Sequence, residues 1–345
     1  MAAGGHRGPG VNRLEERYRR VLRLLPASYR QAWEEDMVAT FLLSELPEDD
    51  EEAEFAADHG RPSWPEVASV VALAVRLRLG GDGAAPRYLV WGETVRRLAL
   101  VGLLVQAVAA LAGIGAWLWS PGMTNVVAPG QAAEVQALLG LLWVAAYLCL
   151  VTGRWRVARL LAALALVRAV VFFGVDLAAV EGAFGLSWTI GLLLDALPVL
   201  ALVAFHRQAP PVKTRPWLVA LAVGVALLTV ALLLTYVTVP VLVDWPSVVC
   251  AAVFAAAVVY LSVPRLGWRR ATVSWSTALA SLALAALVQR VVTLMDYLRF
   301  AARTEELDVM ITMGAGQAVA VLAISVPLAV LAVKSVRALP PVAAR

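Results

Sequence analysis

Residues 98 to 119 read LALVGLLVQAVAALAGIGAWLW. No residue in this run carries a formal charge, and Gln106 is its only amide. A run this long belongs either in a protein core or in lipid. About 20 apolar residues, rising ~1.5 Å each, are what a helix needs to cross the ~30 Å of bilayer hydrocarbon. The remainder of the chain decides between the two. Seven more apolar runs succeed the first, at about 132–152, 157–179, 187–206, 217–239, 247–263, 272–296 and 309–333. No ordinary soluble core needs eight such segments in series. The solvent for residues 94–335 is therefore expected to be lipid.

Composition agrees. The chain has 345 residues, 61% hydrophobic and 16% charged. A soluble domain carries about 25% charged residues. Residues 1–97 hold many of the charges, so a soluble domain is expected ahead of the membrane domain. The net charge of +4 does not imply nucleic-acid binding, because many arginines border apolar runs, where topology explains them. The first apolar run starts too late for a cleaved leader. Cys149 and Cys250 fall near opposite faces of the expected bundle, too far apart for a disulfide.

Positive charge orients the spans. Arg87, Arg96, Arg97, Arg154, Arg156, Arg207, Lys213, Arg215, Arg265, Arg269, Arg270, Lys334, Arg337 and Arg345 all fall on one side. The opposite loops carry only Arg299 and Arg303, offset by Glu305, Glu306 and Asp308. Both termini are then cytoplasmic, and the even number of spans agrees. Trp117, Trp119, Trp188, Trp245 and Tyr297 mark outer ends, where amphipathic rings favour the interface.

Charges inside the runs are the candidate functional residues, since each costs at least about 2.5–3.5 kcal/mol at the bilayer centre. Arg168 lies eleven residues into the third run, roughly 16 Å deep. Asp195 in the fourth run is expected to meet it in an antiparallel hairpin. Asp176 and Asp296 lie higher, near the outer interface. Arg290 is expected to face Gln317, and Gln106 to join one of the two clusters. Two roles stay open: a polar clamp between helices, or a path for a solute or proton. A path calls for a broken helix or a Gly/Pro interruption. The places for one are Gly191 with Pro198, and Gly314 with Gly316. The small residues of LAGIGAW, 111–117, are expected to let helix backbones approach.

An echo runs through the chain. LVRAVVFFGVDL, 166–177, and LVQRVVTLMDYL, 287–298, share an arginine, a VV pair and a late aspartate, 121 residues apart. Applied throughout, that offset lays the first four spans on the last four as a parallel repeat. The spacing from arginine to aspartate differs, eight against six, and chance matches are easy in Ala, Val and Leu.

Ahead of the spans, residues 1–11 read as a disordered tail. Residues 12–80 read as three helices. Leu14, Tyr18, Val21, Leu22 and Leu25 share one face of the first. Tyr29, Trp33, Met37 and Phe41 recur every four residues in the second, with Ser28 and Gln31 as a capping box. Ser63 and Glu66 cap the third, with Val67, Val70, Val71, Ala74 and Leu77 inward. PEDDEEAEFAADHG, 47–60, holds seven acidic residues and reads as a solvated loop. Residues 81–93 read as a linker and 336–345 as a cytoplasmic tail.

The pattern LEERYRRVLRLLPASYRQAWEEDMVATFL, with RPSWPEVASVVALAVRLRLGG, resembles the helical prefix domain of permease-like multi-pass proteins of actinobacteria. It is also similar to HAAS-type signalling domains. The resemblance covers about residues 12–80 and does not extend to the spans. It implies a regulatory or protein-interaction module on the cytoplasmic side of the membrane, and no catalytic residues.

His6, His59 and His206 form no ligand cluster with each other or with the cysteines, and no GxxxxGK loop is present. No catalytic residue, metal or cofactor is therefore expected. The sequence predicts an all-α protein: a polytopic bundle of eight transmembrane helices behind a small cytoplasmic three-helix domain. The expected setting is a bacterial cytoplasmic membrane. The expected partners are the bilayer and a protein bound through residues 12–80. The expected function is regulatory and non-enzymatic, with the spans as anchor or sensor; the alternative is a secondary transporter with a path around Arg168 and Asp195.

Overall fold

The computed structural model describes residues 13–45, 50–119, 131–179, 185–206, 209–238, 245–262, 269–299 and 304–338. The tail 1–11, most of the connecting segments, and Arg207, Arg265, Arg303 and Arg345 lie outside the described residues. Every element among the described residues is helical. The described chain divides into two compact units, one ending at Gly92 and the other running from Glu93 to Ala338.

The first unit contains α1 (Arg13–Leu22), α2 (Ala27–Glu45), α3 (Asp50–His59) and α4 (Trp64–Arg78). Its core joins Leu14, Tyr18, Leu22 and Leu25 to Val38 and Phe41, and to Val70, Ala74 and Leu77. Ser63 caps α4 by accepting from the Glu66 amide. Arg78 donates to the Leu24 carbonyl just beyond α1.

Three expectations are corrected here. The acidic stretch is not a loop, because its middle is α3. Glu and Ala are good helix formers, and acidic residues in the first turn suit the positive end of the helix dipole. At the other end, Arg17 donates to the carbonyls of His59 and Gly60, where a cation suits the negative end. Trp33 is not part of the core and is 52% exposed, since α2 turns Val38 and Phe41 inward instead. The linker is also shorter than expected. Gly80 and Gly83 turn the chain with positive φ, and α5 starts at Pro86, a residue favoured in the first helical turn.

The second unit carries α5 (Pro86–Trp119) from Glu93 onward, α6 (Gln131–Val151), α7 (Trp155–Ala179) and α8 (Leu186–Ala201). A single 3₁₀ turn, Leu202–Ala204, extends α8. Then come α9 (Thr214–Thr238), α10 (Trp245–Ser262), α11 (Arg269–Arg299) and α12 (Glu305–Arg337). Six of these helices, α5, α7, α8, α9, α11 and α12, are long and apolar enough to cross a membrane. The apolar stretches of α6 and α10 are shorter, at Leu138–Val151 and Pro246–Ser262.

These helices turn much of their apolar surface outward. Leu160, Leu164, Val167, Leu227, Val319 and Leu322 are all about half exposed or more. Only 11% of the apolar window of α9 is buried within the protein. Water would penalise that surface at about 25 cal/mol per Å², and lipid does not. The chain is an integral membrane protein.

Inside the second unit, one buried cluster joins α5, α6, α7, the end of α8 and α9 around Trp143, Tyr147, Leu150 and Leu202. Tyr147 donates to the Trp217 carbonyl, tying α6 to α9. Two smaller clusters join α10, α11 and α12. The close backbone approaches are not at LAGIGAW. A Cβ at Gly113 would meet nothing within 4 Å, whereas one at Gly102 would press on Pro198 and one at Gly224 on Val108. Both of those glycines bring another helix against α5.

Candidate functional site

The fourth apolar run folds as the shortest of the spanning helices, and both of its ends are tied to other helices. Gly185 precedes α8 and offers no side-chain cap. The cap comes from α11 instead: Asp296 accepts from the backbone amides of Leu186 at 3.2 Å and Ser187 at 2.8 Å. About two turns earlier on α11, Gln289 Nε2 donates to the Ser187 carbonyl at 3.1 Å. Residues 289 and 296 are seven apart, so both lie on one face of α11. A Cβ at Gly185 would fall on the Asp296 carboxylate, so the approach needs glycine.

At the other end, Arg159 of α7 gathers the last carbonyls of the α8 segment. Its guanidinium donates to Leu202, Val203 and Phe205, the last at 2.6 Å. An anion thus sits at the positive end of the helix and a cation at the negative end. Each satisfies backbone groups that lipid would leave bare.

This clamped helix forms one wall of a cavity of about 460 Å³. α7 contributes Arg168, Phe172 and Phe173, and α8 contributes Trp188, Gly191 and Asp195. Gln289, Thr293 and Tyr297 of α11 and Pro246 of α10 complete the lining. Arg168 and Asp195 therefore face one space, as the sequence led us to expect, and they interact electrostatically. Gln106 joins this cluster rather than the other: its amide donates to Asp195 Oδ1 from α5. The Arg168 guanidinium also lies over the Phe172 ring, 5.8 Å from its centroid.

The second cluster forms differently from expectation. Arg290 is 1% exposed, and its Nε donates to the Gly314 carbonyl at 3.4 Å. A Cβ at Gly314 would meet the guanidinium. Gln317 lies three residues further along α12, and its Oε1 is buried with no hydrogen-bond partner. Asp296 caps the start of α8, a role the sequence did not suggest. Asp176 lies on α7, with its side chain outside the described residues.

Arg159, Gln289 and Thr293 were not singled out by the sequence. Gln289 immediately precedes Arg290, and its seven-residue spacing to Asp296 was the available signal. Arg159 stands one turn inside its span and reads as an ordinary border charge. Of the two suggested helix interruptions, α8 continues through Gly191 and Pro198 and then tightens into the 3₁₀ turn. α12 runs unbroken through Gly314 and Gly316. Among the described residues no three His, Cys, Asp or Glu side chains gather as metal ligands, and Cys149 and Cys250 form no disulfide.

No family model matches the chain, and neither a curated protein nor a solved structure does.

Proposed function

We propose that this protein is a non-enzymatic membrane sensor. Its helical bundle takes a small ligand into the cavity beside Arg168 and Asp195, and its N-terminal helical unit engages a protein partner in the cytoplasm. The observation that carries the reading is the cavity itself. Its volume falls within the ~300–1,000 Å³ typical of small-molecule sites, and it brings a cation and an anion into an otherwise apolar bundle.

Sequence supports the remaining parts of the reading. All eight apolar helices span the bilayer, the shorter apolar stretches of α6 and α10 included. The excess of Arg and Lys on one side places both termini in the cytoplasm of a bacterial plasma membrane. The resemblance of residues 12–80 to permease-prefix and HAAS-type domains supports a regulatory, partner-binding role for the first unit.

Thiol labelling tests the reading. Gly191 is replaced by Cys in a chain whose Cys149 and Cys250 are Ala, and intact cells are treated with a membrane-impermeant maleimide. Labelling from outside is expected, because Ser187, Trp188 and Tyr297 place the cavity toward the outer ends of α8 and α11. A residue 191 that stays unlabelled from both sides would remove the cavity as a ligand site.

A second reading, a secondary transporter, is favoured by one feature. α8, which bears Asp195, is short and carries Pro198 inside it, and short or Gly/Pro-bearing segments are where transporters build their sites. Solute uptake by proteoliposomes separates the two: a transporter accumulates the ligand, and a sensor only binds it.

A further inference from the structure

The cavity's polar groups divide by sign, and the division specifies a ligand. Asp195 accepts one hydrogen bond from Gln106, and a carboxylate has room for about three more. Gln289 also lines the cavity, and its Nε2 is used on the Ser187 carbonyl. A Cβ at Gly191 would lie 3.7 Å from that Nε2, so Gln289 stands opposite Gly191. Asp195 follows Gly191 by four residues on α8, one helical turn away. The Asp195 carboxylate is thus an acceptor that the cavity presents to a donor.

Arg168 supplies the opposite chemistry. A guanidinium offers five N–H donors in a planar fork suited to carboxylate or phosphate. Phe172, Phe173, Trp188 and Leu192 line the same cavity. They suit an apolar body, and the three aromatic rings add cation–π attraction for an ammonium.

Charge balance selects among ligands. Arg168 and Asp195 together are neutral, so a ligand with one net charge would carry that charge into a low-dielectric site uncompensated. A ligand carrying both charges does not. We infer that the cavity binds a small zwitterion. Its ammonium rests on Asp195, its carboxylate or phosphate on Arg168, and its apolar body on the aromatic wall. The inference rests on the ligand-binding reading above and names the ligand class for that same site. Free amino acids and phosphoethanolamine lipid headgroups both have this chemistry.

The test uses the full chain in nanodiscs of phosphatidylglycerol, which contain no zwitterionic headgroup. Four probes are titrated calorimetrically: L-phenylalanine, glycerophosphoethanolamine, phenethylamine and 3-phenylpropionate. At least one of the two zwitterions is expected to bind at least tenfold more tightly than either singly charged probe. Whichever zwitterion binds better identifies the source as a free amino acid or a lipid headgroup. Gly191→Leu, which fills the cavity and leaves its charges in place, is expected to abolish that binding. Asp195→Asn is expected to reverse the preference, so that 3-phenylpropionate binds at least as tightly as L-phenylalanine. That reversal is a change of ligand order, which a merely unstable variant does not produce.

If phenethylamine or 3-phenylpropionate binds the unaltered chain as tightly as the zwitterions, the zwitterion is wrong and the cavity stands as a ligand site. If none of the four binds, the inference falls, and labelling at residue 191 then decides whether the site falls with it.

Discussion

α7 and α11 carry nearly the same string, LVRAVVFFGVD and LVQRVVTLMDY, and treat its arginine in opposite ways. Arg290 is sealed among helices with its Nε on the Gly314 carbonyl. Arg168 is only half-buried, lies over the Phe172 ring and lines the cavity shared with Asp195. The strings do not decide this; the helix across from each one does. α12 presents Gly314, whose missing Cβ lets the guanidinium settle on its backbone. α8 presents Gly191 and then a carboxylate, and between α7 and α8 the space stays open. One arginine is sealed on a backbone carbonyl, and the other lines a cavity.

The sharpest way to break that contrast is to remove each arginine in turn. Arg290→Ala empties a large, fully buried volume, and we expect it to cost about 3 kcal/mol. Arg168→Met, made together with Asp195→Asn so that no charge is left uncompensated, alters only the lining of an existing cavity and is expected to cost under about 1 kcal/mol. Reversible unfolding of the full chain in mixed micelles measures both. Equal costs would mean the two arginines share one role.

Glycine 185 sharpens the same comparison from the α11 side. Gly185→Ala drives a methyl into the Asp296 carboxylate, and overpacking of that kind costs about 1–3 kcal/mol. Asp296→Asn keeps an acceptor for the Leu186 and Ser187 amides and should lose less. If Gly185→Ala matches the unaltered protein in the same unfolding measurement, Asp296 does not hold α8.

Arg159 ranks next. Arg159→Leu keeps the apolar stem and leaves the carbonyls of Leu202, Val203 and Phe205 without their shared donor. Its expected cost is about 1–2 kcal/mol, with faster hydrogen exchange confined to the 3₁₀ turn. Exchange that rises evenly along α7 would show that Arg159 acts through its own helix instead.

How much of this was legible can be judged from the same particulars. The helices were readable because apolar length is a local property: each of the eight runs folded as a helix, seven of them within about five residues of their expected ends, while α5 starts twelve residues early, at Pro86. Arg168 and Asp195 were readable as neighbours because hairpin geometry and depth set their heights, whereas nothing in the sequence told which cluster Gln106 would join. The caps on α8 were not. Asp296 and Arg159 act on backbone groups far away in sequence, and a backbone amide carries no letter. The acidic stretch misled because its charges suggested solvent, while their position in the first turn of a helix was the stronger effect. Gly314 was set aside as a possible helix break, although its use is to receive Arg290.

Tyr18, in the first unit, gives the smallest effect and the same distinction between a satisfied and an available polar group. Its ring stacks on Phe41 with centroids 3.9 Å apart, and its hydroxyl donates to Glu66 at 2.8 Å. Burial first, then the hydrogen bond to Glu66, pushes the phenol well above the usual tyrosine range. A folded-state pKa raised in this way has a definite sign. The phenol's contribution is fully present below the unfolded value near pH ~10 and is lost as pH climbs from there toward the folded value. Tyr18→Phe should therefore weaken the unit by about 1 kcal/mol at neutral pH, and the deficit should shrink above about pH 10. A cysteine placed at the fully buried Leu22 and labelled only when the unit opens reports the gap in the full chain, with and without Tyr18→Phe. A ratio of labelling rates that holds constant from about pH 8 to about pH 11 would mean the hydroxyl is not held by Glu66.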